Sequence, residues 1–252
     1  MTQLSAVVIT QNEELNIEAC LASLSFADEI LVIDDYSTDD TVKLAKKYNA
    51  HVIKRHLEND FATQRNFALS KAEGKWVLFV DADEVVTREL SNEITQCVND
   101  PVLPFSGFLI RRTDEMWGRK ILYGECGTIA LLRLIRKGSG KWIRPVHEIY
   151  VSADKREKVY QLKNSLMHYP HKTLSEFIAD TDRMSTLHAQ ANEKEGKRSS
   201  ILKIIFWPPL KFIQNYFFKM GFRDGTQGFM IAAVMSFHSY LAWSKLYLLQ
   251  RK

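Results

Sequence analysis

The chain is short of nearly everything that marks a secreted, fibrous or membrane-spanning protein. Its 252 residues include only three cysteines, Cys20, Cys97 and Cys126, far apart and without a CxxC pair. That excludes a disulfide framework and argues against a structural zinc site, and it suits a reducing, cytoplasmic compartment. With 11 glycines and 6 prolines, the chain is neither collagen-like nor low-complexity. The first ten residues lack a basic segment and their apolar run is too short for a signal peptide, so a strand is expected to open the chain. No internal repeat is visible. Residues 227–244 carry no formal charge but include Gln227, His238 and several serines, and no transmembrane helix is expected there.

What is present is ordinary globular composition, 46% hydrophobic and 25% charged, in a length that fits one large domain or one domain with an appendage. The formal charge of +4 is unevenly spread. Residues 196–252 hold nine basic residues and one acid, Asp224, so this segment stands at about +8 and the remainder at about −4. The same segment carries twelve of the 28 aromatics.

The first hundred residues alternate β-rich runs with helical patterns, as a parallel sheet covered by helices requires. Strands are predicted at Leu4–Thr10, Glu29–Asp34, His51–Lys54 and Lys75–Val80, with helices near Glu14–Leu24, Asp39–Tyr48 and Asp60–Ala72. Each strand is an almost continuous apolar run, the signature of burial on both faces. Beyond Pro101 the pattern turns to β-type runs at Gly107–Arg112, Lys120–Gly124 and Ile129–Arg136. From Thr173 it is helical: Leu174–Glu195, an aromatic-rich stretch broken at Pro208-Pro209, then Gly225–Leu249. The expected organisation is α/β: one region over 1–172, changing texture near residue 100, and a helical extension over 173–252.

In sheets of this kind ligands bind at the carboxyl ends of the strands, and three of the four predicted ends are polar. Asp81-Ala82-Asp83 follows the run Trp76–Val80. Two alternate carboxylates there can direct one side chain to a divalent ion and the other to a sugar or ribose hydroxyl, since Mg2+ and Mn2+ prefer hard oxygen ligands. The plainer reading is an acidic helix cap. Asp34-Asp35 ends the second strand, where Ser37 to Asp40 can cap the next helix but two tip carboxylates exceed what a cap needs. Thr10 to Glu13 adds a third polar cluster.

Four motifs in order, Thr10-x-Asn12-Glu13, Asp34-Asp35-x-Ser37-Thr38-Asp39-x-Thr41, Gln64-Arg65-Asn66-x-Ala68-Leu69 and Asp81-Ala82-Asp83-Glu84, make the chain resemble family 2 glycosyltransferases of the GT-A fold. The nearest likeness is to the lipopolysaccharide-core, β-glucosyltransferase-like subgroup. It continues through Arg133-Leu134, Val146-His147-Glu148, His168-Tyr169 and Gly221-Phe222-x-Asp224-Gly225-x-x-Gly228-Phe229. The resemblance implies a Rossmann-like, mostly parallel sheet forming a catalytic domain over 1–172, with a nucleotide-sugar half (1–100) and an acceptor half (101–172), and a nucleotide-sugar donor, with UDP the family's commonest nucleotide. It implies Thr10, Asn12 and Glu13 at the nucleotide, Asp34 or Asp35 near uracil or ribose, Arg65 near the base or diphosphate, and Asp81 facing the ribose or donor sugar. Asp83 would bind the Mg2+ or Mn2+ that bridges the diphosphate. The implied reaction is inverting: an acceptor hydroxyl, deprotonated by a carboxylate, displaces the nucleoside diphosphate in one step.

Glu148 is the candidate base, although a His-Glu pair also serves as a salt bridge or core hydrogen bond. His147 and His168 are candidates for a further metal ligand or a phosphate-orienting role, against the alternative of structural histidines. Arg133 is a candidate fork for a phosphate, while Arg111, Arg112 and Arg136 are expected in solvent. One departure stands out: the subgroup's Trp-x-Pro-Asp-like segment before Arg-Leu is replaced by Gly124–Leu132, with Glu125 displaced from the expected acid. If that segment shapes the acceptor pocket, the acceptor differs from a lipopolysaccharide heptose.

The basic, aromatic C-terminal segment reads as an interfacial helical region facing anionic headgroups, consistent with a glycan or lipid-linked acceptor and a peripheral position on the cytoplasmic face of the inner membrane. The alternative is packing onto the catalytic region or a second subunit. Nucleic acid is not an expected partner, because the basic residues sit among bulky aliphatics without a binding motif. Two other functions fit these residues less well. A nucleotidyltransferase would carry a Gly-rich, basic loop where Gln11-Asn12-Glu13-Glu14 stands, and a non-catalytic scaffold would tolerate loss of Asp83 or Glu148, both present.

Overall fold

The computed structural model describes residues 2–145, 148–154 and 158–251. The opening alternation is as expected: β1 (Leu4–Thr10), α1 (Ile17–Ser23), β2 (Glu29–Asp34), α2 (Thr41–Lys47), β3 (His51–Lys54), α3 (Phe61–Lys71) and β4 (Trp76–Asp81). Next come β5 (Glu84–Val86) and α4 (Arg88–Asn99). Helix α4 is additional to the predicted helices, although its signals are ordinary. Thr87 caps it by accepting from the Leu90 amide, and Leu90, Ile94 and Val98 line its buried face four residues apart.

Continuous apolar runs are required because the sheet is covered twice. Along β1, Leu4, Ala6 and Val8 enter one core and Val7 enters the other; along β4, Leu78 and Val80 separate from Val77 and Phe79 in the same way. Ile17, Cys20 and Leu21 of α1 with Leu90 and Ile94 of α4 complete the first core, and Ala62 and Ala68 of α3 belong to the second. Each large aliphatic so buried contributes about 1.5–3 kcal/mol relative to exposure.

The β-rich half comprises β6 (Phe105–Met116), β7 (Arg119–Ile121), β8 (Ala130–Arg136), β9 (Gly140–Ile143), β10 (Ile149–Ser152) and β11 (Lys158–His168). The main sheet runs β3-β2-β1-β4-β8-β6-β11-β5, with β7 paired to β6, and β9 and β10 form a separate ribbon. β3, β2, β1 and β4 are parallel, and β8 joins β4 antiparallel.

The chain divides into two compact units, residues 1–112 with 130–168, and residues 113–129 with 169–252. In the second, a strand predicted over Lys120–Gly124 stops at Ile121. The reason is local: the amides of Leu122 and Tyr123 donate to the Asp224 carboxylate at 3.2 and 2.8 Å instead of to a strand partner. Helix α5 (Leu174–Lys194) opens with a capping box formed by Thr173 and Glu176. It is followed by α6 (Ile201–Ile213) and α7 (Gly225–Leu249). Met116, Ile121, Phe177, Ile231 and Val234 form this unit's core.

The break expected at Pro208-Pro209 is absent: α6 runs through both prolines. Each proline removes the amide that would have served the carbonyl of Ile204 or Ile205, and its ring crowds that carbonyl. Packing on α7 offsets this, and Ser236 Oγ donates to the Pro208 carbonyl at 2.7 Å. A π turn at Gln214–Phe218 follows. A Cβ on Gly228 would lie 1.9 Å from the Gly221 carbonyl oxygen, which gives the Gly221-to-Gly228 motif a packing role. Among the described residues no helix is long and apolar enough to cross a membrane.

Candidate active site

The parallel pairing brings the polar strand ends to one edge. Thr10 is in register with Asp34 across β1 and β2, and Ile9 with Asp81 across β1 and β4. The motif residues of the first two loops largely hold one another. Asn12, in the left-handed region at φ 54°, donates its amide to Ser37 Oγ at 2.9 Å, and its Oδ1 accepts from the Thr38 amide at 2.8 Å. The Glu13 amide donates to Thr41 Oγ1 at 2.7 Å, and the Glu14 amide to Asp39 Oδ2 at 3.1 Å.

Asp34 is fully buried and its carboxylate accepts from the Ser37 amide, whereas Asp35 is partly open and meets His56 Nδ1 at 3.3 Å. Of the pair, Asp35 is therefore the one within reach of a ligand. Tyr36, strained at φ 50°, stacks on His56 with ring centroids 4.0 Å apart. Thr10 is buried, and its Oγ1 has no hydrogen-bond partner among the described residues.

The third motif is explained residue by residue. Gln64 exchanges hydrogen bonds with Arg55, and Asn66 exchanges two with the Trp142 backbone, tying α3 to β9. Arg65 between them is nearly buried under Phe79 and Trp142, its guanidinium 5.1 and 5.4 Å from their rings. It donates from Nε to Glu148 Oε1 at 2.7 Å and lies 3.5 Å from Asp81 Oδ1.

Asp81 is the centre of this charge cluster. Arg133, buried on β8, forks onto both Asp81 oxygens and onto Glu84 Oε1 at 2.7 Å, while Glu84 Oε2 accepts from the Asp81 amide at 2.9 Å. Burial alone would raise the Asp81 carboxyl, but the charges of Arg133 and Arg65 outweigh it and hold that group well below the usual carboxylate range. Glu84 moves upward, pushed by burial and by Asp81 against the pull of Arg133. The Cys20 thiol is also pushed up, by burial and the neighbouring Glu84, Asp83 and Asp81 carboxylates, which leaves it protonated and a poor nucleophile.

Asp83 stands apart from the arginines. Its Oδ2 lies 3.1 Å from His168 Nε2 at the end of β11, where His168 is in register with Glu84. The structure thus brings together Arg65, Asp81, Arg133 and Glu148 as one group and Asp83 with His168 as another. Arg133 is engaged by carboxylates, and His147 lies outside the described residues. Glu84 is the participant for which sequence reasoning named no role; its signal was the fourth acid of Asp81-Ala82-Asp83-Glu84.

Comparison with known proteins bears on the family and the fold. Residues 5–119 match the model of glycosyl transferase family 2. The lipopolysaccharide core biosynthesis glycosyltransferase LpsC of Rhizobium meliloti is 31% identical over 253 residues, covering 97% of this chain and 92% of that protein. A glycosyltransferase of Rickettsia felis is 28% identical over 98% of this chain and 90% of its own length. Among solved structures, residues 1–349 of S. aureus TarS in complex with UDP-GlcNAc superpose with a TM-score of 0.52 at 17% identity, covering 94% of this chain and 91% of that one. Glucosyl-3-phosphoglycerate synthase from Mycobacterium tuberculosis, solved with Mn2+, UDP and glucosyl-3-phosphoglycerate, gives 0.52 at 18% identity over 79% and 82%. These two establish the GT-A type of fold, and the full-length likeness to LpsC establishes kinship: the chain belongs to glycosyltransferase family 2.

Proposed function

We propose that this glycosyltransferase moves a sugar from a UDP-sugar to a hydroxyl of a glycan or lipid-linked acceptor in lipopolysaccharide or related cell-envelope synthesis, at the cytoplasmic face of the inner membrane. The observation that carries the reading is the convergence of Arg65, Asp81 and Glu148 at the carboxyl edge of the parallel strands, with Asp83 and His168 paired nearby. The UDP and UDP-sugar bound in the two structural neighbours and the core-biosynthesis role of LpsC support the donor and the acceptor class.

The reaction is a single displacement with inversion. The acceptor hydroxyl gives its proton to Glu148 as its oxygen bonds to the anomeric carbon and the bond to the diphosphate breaks. Arg65 holds Glu148 by Oε1 and leaves Oε2 for that proton. Asp81, kept ionised by its arginines, accepts from ribose or donor-sugar hydroxyls. Asp35 and the Tyr36–His56 stack serve the base.

Asp83 and His168 fit a divalent ion. A carboxylate oxygen and an imidazole nitrogen face each other at 3.1 Å, although the described residues contain no group of three or more His, Cys, Asp or Glu able to hold a metal by themselves. Such a pair suits Mg2+ or Mn2+ that takes its other ligands from diphosphate and water. When bound, the ion supplies positive charge to the departing diphosphate. The direct test is thermal stabilisation by UDP, GDP and dTDP sugars with and without Mn2+. A Mn2+-dependent shift with a UDP-sugar is expected, and no shift with any of them defeats the reading.

A further inference from the structure

The polarity of α6 is inverted. A helix of a water-soluble protein buries its apolar stripe and turns polar residues outward, yet none of the thirteen α6 residues is buried. Its exposed residues include Leu202 at 67%, Ile205 at 56%, Phe206 at 57%, Leu210 at 51% and Ile213 at 41%, whose spacing places them on one side. Lys203 borders this face, seven residues before Leu210, and Lys211 lies on the opposite side; both are engaged. Lys203 Nζ sits 4.6 Å from the Trp243 ring centroid, and Lys211 Nζ pairs with Glu125 at 2.8 Å. Apolar exposure continues into the π turn, where Phe217 and Phe218 are 56% and 79% exposed. It also borders a groove of about 420 Å³ between α6 and α7, lined by Ile204, Ile205, Pro208, Ala233, Phe237 and Tyr240.

Charge selects the occupant. Residues 196–223 contain six basic residues, Lys197, Arg198, Lys203, Lys211, Lys219 and Arg223, and no acid; Lys197 pairs with Glu195 and Lys211 with Glu125, so the attraction rests chiefly on Arg198, Lys203, Lys219 and Arg223. A second copy docking by a twofold axis would set this cationic segment against itself, whereas a bilayer containing anionic lipids attracts it at about 1 kcal/mol per basic residue near the surface. Helix length selects the mode of contact. Thirteen residues span about 20 Å, less than the hydrocarbon thickness of about 30 Å. The carbonyls of Ile204 and Ile205, without proline amides to serve them, need water or headgroups within reach.

We propose that α6 is an in-plane membrane anchor, its Leu202, Ile205, Phe206, Leu210 and Ile213 face set among the lipids and its flanking cations on anionic headgroups. This deepens the membrane-surface part of the proposed function by naming the element that makes the contact. It also accounts for a contiguous apolar surface that a soluble monomer rarely shows.

The test is co-sedimentation of the full chain with phosphatidylcholine vesicles and with vesicles containing phosphatidylglycerol, at low and high salt, for the parent protein and the double variant Ile205→Glu, Phe206→Glu. Both side chains are exposed, so the fold is retained, as thermal melting and Mn2+-dependent UDP binding will report. Salt-sensitive binding to the anionic vesicles that falls at least about tenfold in the variant is the expected result. Equal vesicle binding by the variant, or a parent dimer in solution that the same substitutions dissociate, overturns the proposal. Donor binding is scored separately. Intact UDP binding without vesicle binding defeats the anchor alone, and vesicle binding without any donor response defeats the enzymatic reading alone.

Discussion

Arg65 on α3 reaches Glu148, 83 residues later, with Nε to Oε1 at 2.7 Å, and the same guanidinium lies 3.5 Å from Asp81. One buried cation therefore sets the spacing of the two carboxylates to which the proposed mechanism assigns different tasks. Because it is wedged under Phe79 and Trp142, its position is fixed by the core as well as by charge.

Replacing Glu148 by Gln keeps an acceptor for Arg65 and removes the base. Turnover is expected to fall by about two to four orders of magnitude while UDP affinity stays within about twofold. Single-turnover transfer and UDP titration measure the two separately. Undiminished turnover removes Glu148 from the mechanism.

Asp83→Asn and His168→Ala are each expected to abolish the part of UDP stabilisation that depends on Mn2+, measured for each variant against its own unliganded melting point. A melting series with and without Mn2+ decides it, and a retained Mn2+ effect in both variants sinks the metal assignment.

Glu84 has no solvent contact and holds Arg133 and the Asp81 amide together. Glu84→Ala leaves a buried guanidinium short of a partner and an amide unsatisfied, at a cost of about 3–5 kcal/mol. Urea unfolding gives the number, and a loss under about 1 kcal/mol contradicts the geometry.

Glu93 on α4 accepts from the amides of Lys163 and Asn164 and from the Asn164 side chain. These bonds, working against partial burial, hold its carboxyl below the ordinary value. A depressed folded-state pKa means stabilisation that is complete above the unfolded value of about 4.3 and is lost as pH falls below it. The stability gap between the parent and Glu93→Gln should accordingly be widest near neutrality and close in acid. Urea midpoints measured across that range test this, and a gap that widens in acid reverses the sign.

How much of this was readable beforehand depended on distance along the chain. The strands β1, β2 and β4 and their polar tips are local patterns, apolar runs ended by Thr10, Asp34 and Asp81, and the structure agrees with them; β3 forms where expected, but as an edge strand with none of its residues buried it departs from the burial on both faces expected of all four. The role of Glu84 was not readable, since its partner Arg133 lies 49 positions away on an antiparallel strand. The link from Asn66 to Trp142 spans 76 positions and is equally invisible to any local rule. The continuity of α6 through Pro208 and Pro209 is a tertiary outcome: propensity favours a break, and packing on α7 overrides it. The strand expected at Lys120–Gly124 was cut short by Asp224, a hundred residues distant in sequence.

The mutual bonding of the first two loops has a consequence for ligand recognition. Asn12 is tied to Ser37 and Thr38, Glu13 to Thr41, and Glu14 to Asp39. These segments lose their conformational freedom when the chain folds, so under the proposed function a nucleotide arriving later would meet a preorganised cradle with little ordering left to impose. Affinity and folding are thereby linked at this edge. Loosening either loop disorders its neighbour, and weaker donor binding follows even when no group that touches the ligand has been changed.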